Sequence, residues 1–370
     1  MIFVENVMKR TFTALVFSLP KSHGLSSSLA TCGRLGFTSV PSGRKYGCVS
    51  EKGGIRSSLF STFSAPEPPK SKGVNVFEDV DFSVQGNPSS QSSIRNSDPD
   101  AVFLVNGASR GIGLQFVSKL LSDTKGRVIA GCRSPDDAPK LQDLLSTLDK
   151  KSRNRVEVIK LDVENQDSIE LSAAEIKVQY GRVDLLLNVA GILGDGKNTP
   201  GPERSVAKIE REWMEKTFQV NVIGPVMLAK ELAPLMTQAR RTGRRKADSS
   251  DETLSEKQRA VGVVANLSAR VGSISDNGLG GWYSYRMSKS ALNQATRTLA
   301  NELKRKSVWC IALHPGTTDT DLSKPFQKNV QKDRLFPVEF TVDSLMNVID
   351  SMEEHNSGGL YDWAGKAIPF

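Results

Sequence analysis

Residues Asn106-Gly107-Ala108-Ser109-Arg110-Gly111-Ile112-Gly113 decide how this chain is read. They follow the apolar run Ala101–Asn106 and open an amphipathic stretch over 111–122, so the glycines lie where a strand becomes a helix. Glycines there let the backbone turn sharply and approach a pyrophosphate, while the free N–H groups and dipole of the first helical turn hold negative charge. Outward from this turn, short β-branched runs recur at Arg127–Gly131, Val156–Leu161, Val183–Leu187, Val261–Leu267, Val308–Leu313 and Gly359–Trp363. Helical patterns near 135–148, 167–179, 209–237, 282–305 and 341–354 separate them. Strands that are apolar without alternation are covered on both faces. The pattern therefore predicts an α/β fold, a doubly wound parallel seven-stranded sheet flanked by helices, as a single domain over 99–370.

Composition narrows the class. The 370 residues are 38% hydrophobic, enough for a real core, and no apolar run reaches the roughly 20 residues that span a bilayer. Four cysteines without paired spacing argue against a disulfide scaffold and against a zinc fold, and three scattered histidines offer no metal cluster. The formal charge is +8, but residues 1–65 hold eight Lys/Arg against two acids, with twelve Ser and five Thr. That composition reads as an organelle transit peptide, and its end, Arg56 to Ala65, resembles a mitochondrial presequence, which places the mitochondrion ahead of the chloroplast. With the leader set aside the domain is nearly neutral, so no nucleic-acid partner is expected. Residues 66–98, rich in Pro, Ser and Gly, read as a flexible linker. Residues 238–260, basic and then mostly acidic, read as a charged surface insertion.

The glycine spacing, together with the later motifs, resembles the short-chain dehydrogenase/reductase family, on the carbonyl-reductase branch that includes C-factor-like proteins. The resemblance covers residues 101–363 and implies a Rossmann domain with a nicotinamide cofactor. Gly107, Ser109, Arg110, Gly111, Ile112 and Gly113 match the family's phosphate turn, with Asn106 where the family usually has Thr. An NAD enzyme needs an acid after the second strand, whereas Arg133 stands there, with Arg110 in the turn, so NADP(H) is favoured over NAD(H). The resemblance assigns Asp162 and Val163 to the adenine, Asn188, Ala190 and Gly191 to the nicotinamide ribose, and Pro315, Gly316, Thr318 and Thr320 to the carboxamide loop.

Tyr285-Arg286-Met287-Ser288-Lys289 supplies a Y-x-x-x-K whose ends share one helical face. A cation within ~4–6 Å lowers a phenol's pKa by ~1–3 units, so Lys289 is expected to bring Tyr285 toward neutrality. The resemblance makes Tyr285 the proton donor, gives Lys289 the ribose hydroxyls as well, and places Asn221 in a proton relay. The family's orienting serine falls on Ala269; the candidate replacements are neighbouring Ser268, provided the strand has already broken there, and Ser273 or Ser275 in the following loop. His314, beside Pro315-Gly316, reads as structural. The expected activity is hydride transfer between NADP(H) and a small carbonyl or alcohol. A catalytically weak, cofactor-binding regulator of the same fold is the alternative. Homo-oligomer formation is compatible with either.

Overall fold

The computed structural model describes residues 77–81, 89–195, 197–236, 259–331 and 334–370. The leader and nearly all of the charged insertion lie outside these residues. The described chain runs through α1 (Ser90–Ser97), β1 (Val102–Asn106), α2 (Gly111–Asp123), β2 (Arg127–Cys132), α3 (Pro139–Thr147), α4 (Lys150–Arg153) and β3 (Val156–Lys160). It continues with α5 (Gln166–Gln179), β4 (Leu185–Asn188), α6 (Arg211–Phe218), α7 (Gly224–Met236), β5 (Gly262–Leu267) and α8 (Tyr283–Leu303). Last come β6 (Val308–His314), β7 (Thr317–Thr318), β8 (Leu335–Phe336), α9 (Val338–Ser351) and β9 (Leu360–Asp362). All seven predicted strands are present within a residue or two of their expected bounds.

Seven strands form one parallel sheet in the order β3-β2-β1-β4-β5-β6-β9, while β7 and β8 pair separately. Side chains from both faces are buried, as the unbroken apolar strands require: β1 reads Val-Phe-Leu-Val-Asn with every residue buried. One face carries Phe103, Val105 and Leu187 against Phe116 and Leu120 of α2 and Leu345 and Ile349 of α9. The other packs Leu104, Ile129 and Leu186 against Ile176 of α5, Leu232 of α7 and Ala300 of α8. The chain order reverses between β1 and β4, and in open α/β sheets the crevice beyond the carboxyl ends of such strands takes the ligand. The single helix expected over 209–237 is instead α6 and α7 joined by a π turn, Gln219–Ile223, which contains Asn221.

The flexible-linker expectation fails where the chain is described. The N-cap hydroxyl of Ser89 accepts from Ser92 N–H, and α1 docks on the end of α9. Arg95, 2% exposed, donates to Asp350 Oδ1 at 2.6 Å, and Ser92 Oγ and Ser89 N both donate to the Asp350 carbonyl. Upstream, Val80 is buried in the core, and Phe77 packs edge-on to Tyr361 and Phe370 with the Arg297 guanidinium 4.8 Å over its ring. A Ser-rich segment becomes ordered here through partners some 255 positions away, which local composition does not register. Deleting everything before Ala101 removes this strap and leaves Asp350 without its cation. Such a truncation should cost about 3 kcal/mol and lower Tm by roughly 5–10 °C relative to a form starting at Pro68. Equal melting temperatures for the two forms would show that the strap contributes nothing.

Candidate active site

At the reversal point the glycine turn is built by contact as much as by conformation. Gly107 has φ +90, and a Cβ there would lie 2.6 Å from Ala190 N. A Cβ on Gly113 would lie 2.1 Å from the Gly107 carbonyl oxygen, so only glycine lets α2 start this close to β1. The N-cap residue, Arg110, makes no side-chain capping bond, so no side chain of its own fills the start of α2. Gly107 and Ala108 spend their N–H groups on the Gly131 carbonyl, while the first-turn N–H groups of α2 lack helical partners, so a cradle of this shape at Gly107 to Gly113 fits a dinucleotide pyrophosphate. Thr320 stands over it, its methyl group 3.5 Å from the Cβ position of Gly111.

The two arginines are exposed beside this cradle, and each faces a carboxylate. Arg133 Nη1 lies 3.4 Å from Glu164, and Arg110 Nη1 lies 3.8 Å from Asp321. Lys140, which the sequence reading passed over, reaches the same Asp321 oxygen at 3.9 Å, so a third cation sits nearby. Asp162 is half-buried, and one of its oxygens accepts the Glu164 N–H. Val163 packs on Gly224. Thr318 is buried, its hydroxyl shared with Thr341 at 2.9 Å, so it braces the loop after Pro315-Gly316 and is spent as a ligand group.

Across the middle of the sheet runs a line of buried amides. The register sets Asn106 beside Asn188 and Asn188 beside Asn266. Asn106 donates to Asn188 at 3.3 Å, Asn188 to Asn266 at 2.8 Å, and Asn266 to Thr296 of α8 at 2.9 Å. Buried polar groups need partners, and these satisfy one another while tying three strands to α8. Asn188 is therefore a brace. The signal was present in the sequence, since three strand ends carry Asn, but which of them are adjacent depends on the strand order.

Tyr285 and Lys289 lie one turn apart at the start of α8. Lys289 is buried and its Nζ donates to the Leu267 carbonyl at 2.7 Å, 3.7 Å from the Cβ position of Gly191. The ammonium stands over the Tyr285 ring, 5.5 Å from its centroid. The expected lowering of the phenol does not follow from this arrangement. Burial pushes Tyr285 above its ordinary value and lowers Lys289 to about 8. Desolvation by burial is the cause of both shifts.

Asn221 is buried at the π turn. Its Oδ1 accepts Ile192 N–H at 2.8 Å, and its Nδ2 donates to the Ile192 carbonyl and to Ser288 Oγ. The side chain thus joins the loop after β4 to α8, with both amide hydrogens engaged there. Ser268 does not join the site: its hydroxyl is buried and donates to Asn293 at 2.6 Å. β5 ends at Leu267, but the chain stays extended beyond it, with φ −156 and ψ 149 at Ala269 and the Ser268 N–H still donating to the Leu313 carbonyl, so the two residues alternate in direction. His314 is half-buried, its Nδ1 has no partner among the described residues, and desolvation lowers it to about 3, so it stays neutral.

At the opposite, amino-terminal ends of the strands lies a cleft of about 600 Å3 lined by Val102, Arg127, Tyr180 and Arg182. Its arginines are committed, Arg127 to the Asn154 carbonyl and Arg182 to Asp98 and Asp184, so it does not compete with the carboxyl-end site.

Known proteins share this sequence pattern and fold. The family described as short chain dehydrogenase matches residues 101–245 and 249–331. C-signal of Myxococcus xanthus is 29% identical over 200 residues, 54% of this chain and 100% of that protein. Among solved structures, the NADPH-bound carbonyl reductase from chicken fatty liver superposes with a TM-score of 0.60 at 28% identity, covering 73% of this chain and 99% of that one. The carbonyl reductase Sniffer of D. melanogaster gives 0.59 at 25% identity, covering 74% of this chain and 100% of that one. A glycine cradle at the sheet's reversal point, a Tyr-Lys pair opening α8 and this family match agree: the chain is an oxidoreductase of the short-chain dehydrogenase family.

Proposed function

We propose that the protein is an NADP(H)-dependent carbonyl reductase or alcohol dehydrogenase in which Tyr285 donates the proton. The observation that carries this reading is the placement of Tyr285 and Lys289 beyond the carboxyl ends of β4 and β5, with Lys289 next to Gly191. Gly107 to Gly113 would hold the pyrophosphate, Asp162 and Val163 the adenine, Ala190, Gly191 and Lys289 the nicotinamide ribose, and Pro315, Gly316 and Thr320 the carboxamide. A bound nicotinamide supplies the hydride. The chain's part is to exclude water and to place the phenolic proton of Tyr285 at the carbonyl oxygen. Trp282 and Phe326, 5.3 Å apart, wall the site beside Tyr285 and favour an apolar carbonyl substrate.

The preference for NADP(H) rests on Arg133 and Arg110, with Lys140 near, and on the NADPH carried by the chicken relative. Arg133→Ala should weaken NADPH binding about tenfold and leave NADH binding within about twofold, as read by fluorescence titration. Tighter binding of NADH than of NADPH by the wild type would overturn the preference. Turnover is tested by screening aldehydes, ketones and quinones for NADPH oxidation.

The second reading, a weak enzyme acting as a cofactor-binding regulator, is favoured by Ala269 together with the engagement of Ser268 by Asn293. NADPH binding without Tyr285-dependent oxidation would select it. For the leader, we propose import into an organelle, the mitochondrion ahead of the chloroplast. Because Phe77 and Val80 pack into the domain, cleavage is expected before Phe77. Fusing residues 1–76 to a fluorescent protein tests the address.

A further inference from the structure

Among groups that the proposed chemistry does not use, Glu203 is set apart by its partners. It lies in the loop between β4 and α6, is 3% exposed, and faces the first turn of α8. Both carboxylate oxygens accept the Ser284 N–H at 3.3 Å, and Oε1 also accepts the Ser284 hydroxyl. The Glu203 carbonyl accepts the Trp282 N–H at 2.5 Å. The N-cap residue of α8, Trp282, makes no side-chain capping bond, so the cap comes from another part of the chain. A carboxylate suits this place because first-turn N–H groups lack helical partners and form the positive end of the dipole.

Trp282 shows what the clamp holds. Its φ of 54 and ψ of 43 lie in the left-handed region, which bulky L residues avoid and which persists only where the surroundings over-determine it. Its ring meets Tyr285 edge-on at 6.2 Å and leans on Phe326 at 5.3 Å. One turn of chain therefore carries the clamped serine, the Trp282 half of the aromatic wall and the phenol. At 269 the residue is Ala, so no hydroxyl there shares in fixing the geometry.

We propose that Glu203 is a positioning residue for Tyr285: through Ser284 its carboxylate locks the first turn of α8 and sets the phenol against the wall of Trp282 and Phe326. This rests on the reading of Tyr285 as proton donor. The full-length wild type, Glu203→Ala and Glu203→Gln are compared by three measurements. These are kinetics with NADPH and the fastest carbonyl from the screen, NADPH fluorescence titration, and amide hydrogen exchange. Glu203→Ala is expected to lower kcat roughly 10–100-fold, with the Kd for NADPH within about twofold and faster exchange confined to residues 282–286. Gln keeps an acceptor for Ser284 and should bring kcat back to within about fivefold of wild type. A kcat in Glu203→Ala within about twofold of wild type, or NADPH affinity lost in step with kcat, overturns the proposal. If the wild type shows no Tyr285-dependent turnover, the proton-donor reading fails, and exchange alone decides the clamp. Unchanged protection at 282–286 in Glu203→Ala then sinks it, and selective loss there supports it.

Discussion

Replacing Tyr285 by Phe is expected to lower carbonyl-dependent NADPH oxidation about 10³-fold while NADPH binding stays within about twofold of wild type. The substitution removes one hydroxyl and keeps the ring, so the edge contact with Trp282 and the cation above the ring survive. A loss in kcat without a loss in binding marks a group used only in the chemical step. The pH profile sharpens the test. Burial raises Tyr285 above its ordinary value, so the phenol keeps its proton across the neutral and mildly alkaline range, which suits reduction. Lys289, lowered to about 8, loses its charge first. Carbonyl reduction should therefore fall as pH rises through about 8, and that midpoint should survive in the residual rate of Tyr285→Phe. A midpoint that vanishes with the hydroxyl would assign it to Tyr285 instead.

The second large effect has opposite signs for activity and stability. Lys289→Met should reduce turnover by about 10²-fold or more, and should also weaken NADPH binding, since Lys289 is the proposed ribose ligand. The same change should stabilise the fold by about 1–3 kcal/mol at pH 7, because an ammonium held in a desolvating site is a cost that Met does not carry. The lost hydrogen bond to the Leu267 carbonyl offsets part of the gain. The linkage has a definite direction. The folded-state value of Lys289, about 8, lies below the ordinary 10.5, so the penalty is complete below pH 8 and is relieved as pH climbs between those values. The stability advantage of Lys289→Met should accordingly be largest near neutrality and shrink toward pH 10. Chemical denaturation at several pH values measures this, and a variant less stable than wild type at pH 7 would contradict it. A stabilising substitution that destroys activity is the behaviour of a site maintained for function.

Reading from sequence succeeded where chemistry is local. The glycine turn, the strand ahead of it and the helix behind it are one continuous stretch, and the i, i+4 spacing of Tyr285 and Lys289 puts both on one face of α8. Ala269 was legible as a departure from the family pattern, but the burial of Ser268 and its bond to Asn293 were not, since they depend on how α8 packs beside the end of β5. The strap at 77–97 was illegible for the opposite reason. Its Ser-rich composition carries no periodic signal, and what orders it is Asp350 and Tyr361, brought near only by the folded sheet.

The same division runs through the active site. The sequence by itself determined the doubly wound sheet and the positions of cradle, proton-donor candidate and lysine, since each follows from residue type at fixed short spacing. Only the tertiary structure decided how each group is used. It set Lys289 over the ring of Tyr285, engaged the side chains of Asn221 and Asn188 in buried hydrogen bonds, and placed Glu203 at the head of α8. Burial and hydrogen-bond partnership are shared properties of segments far apart in the chain, so they exist only once the strands have taken their order.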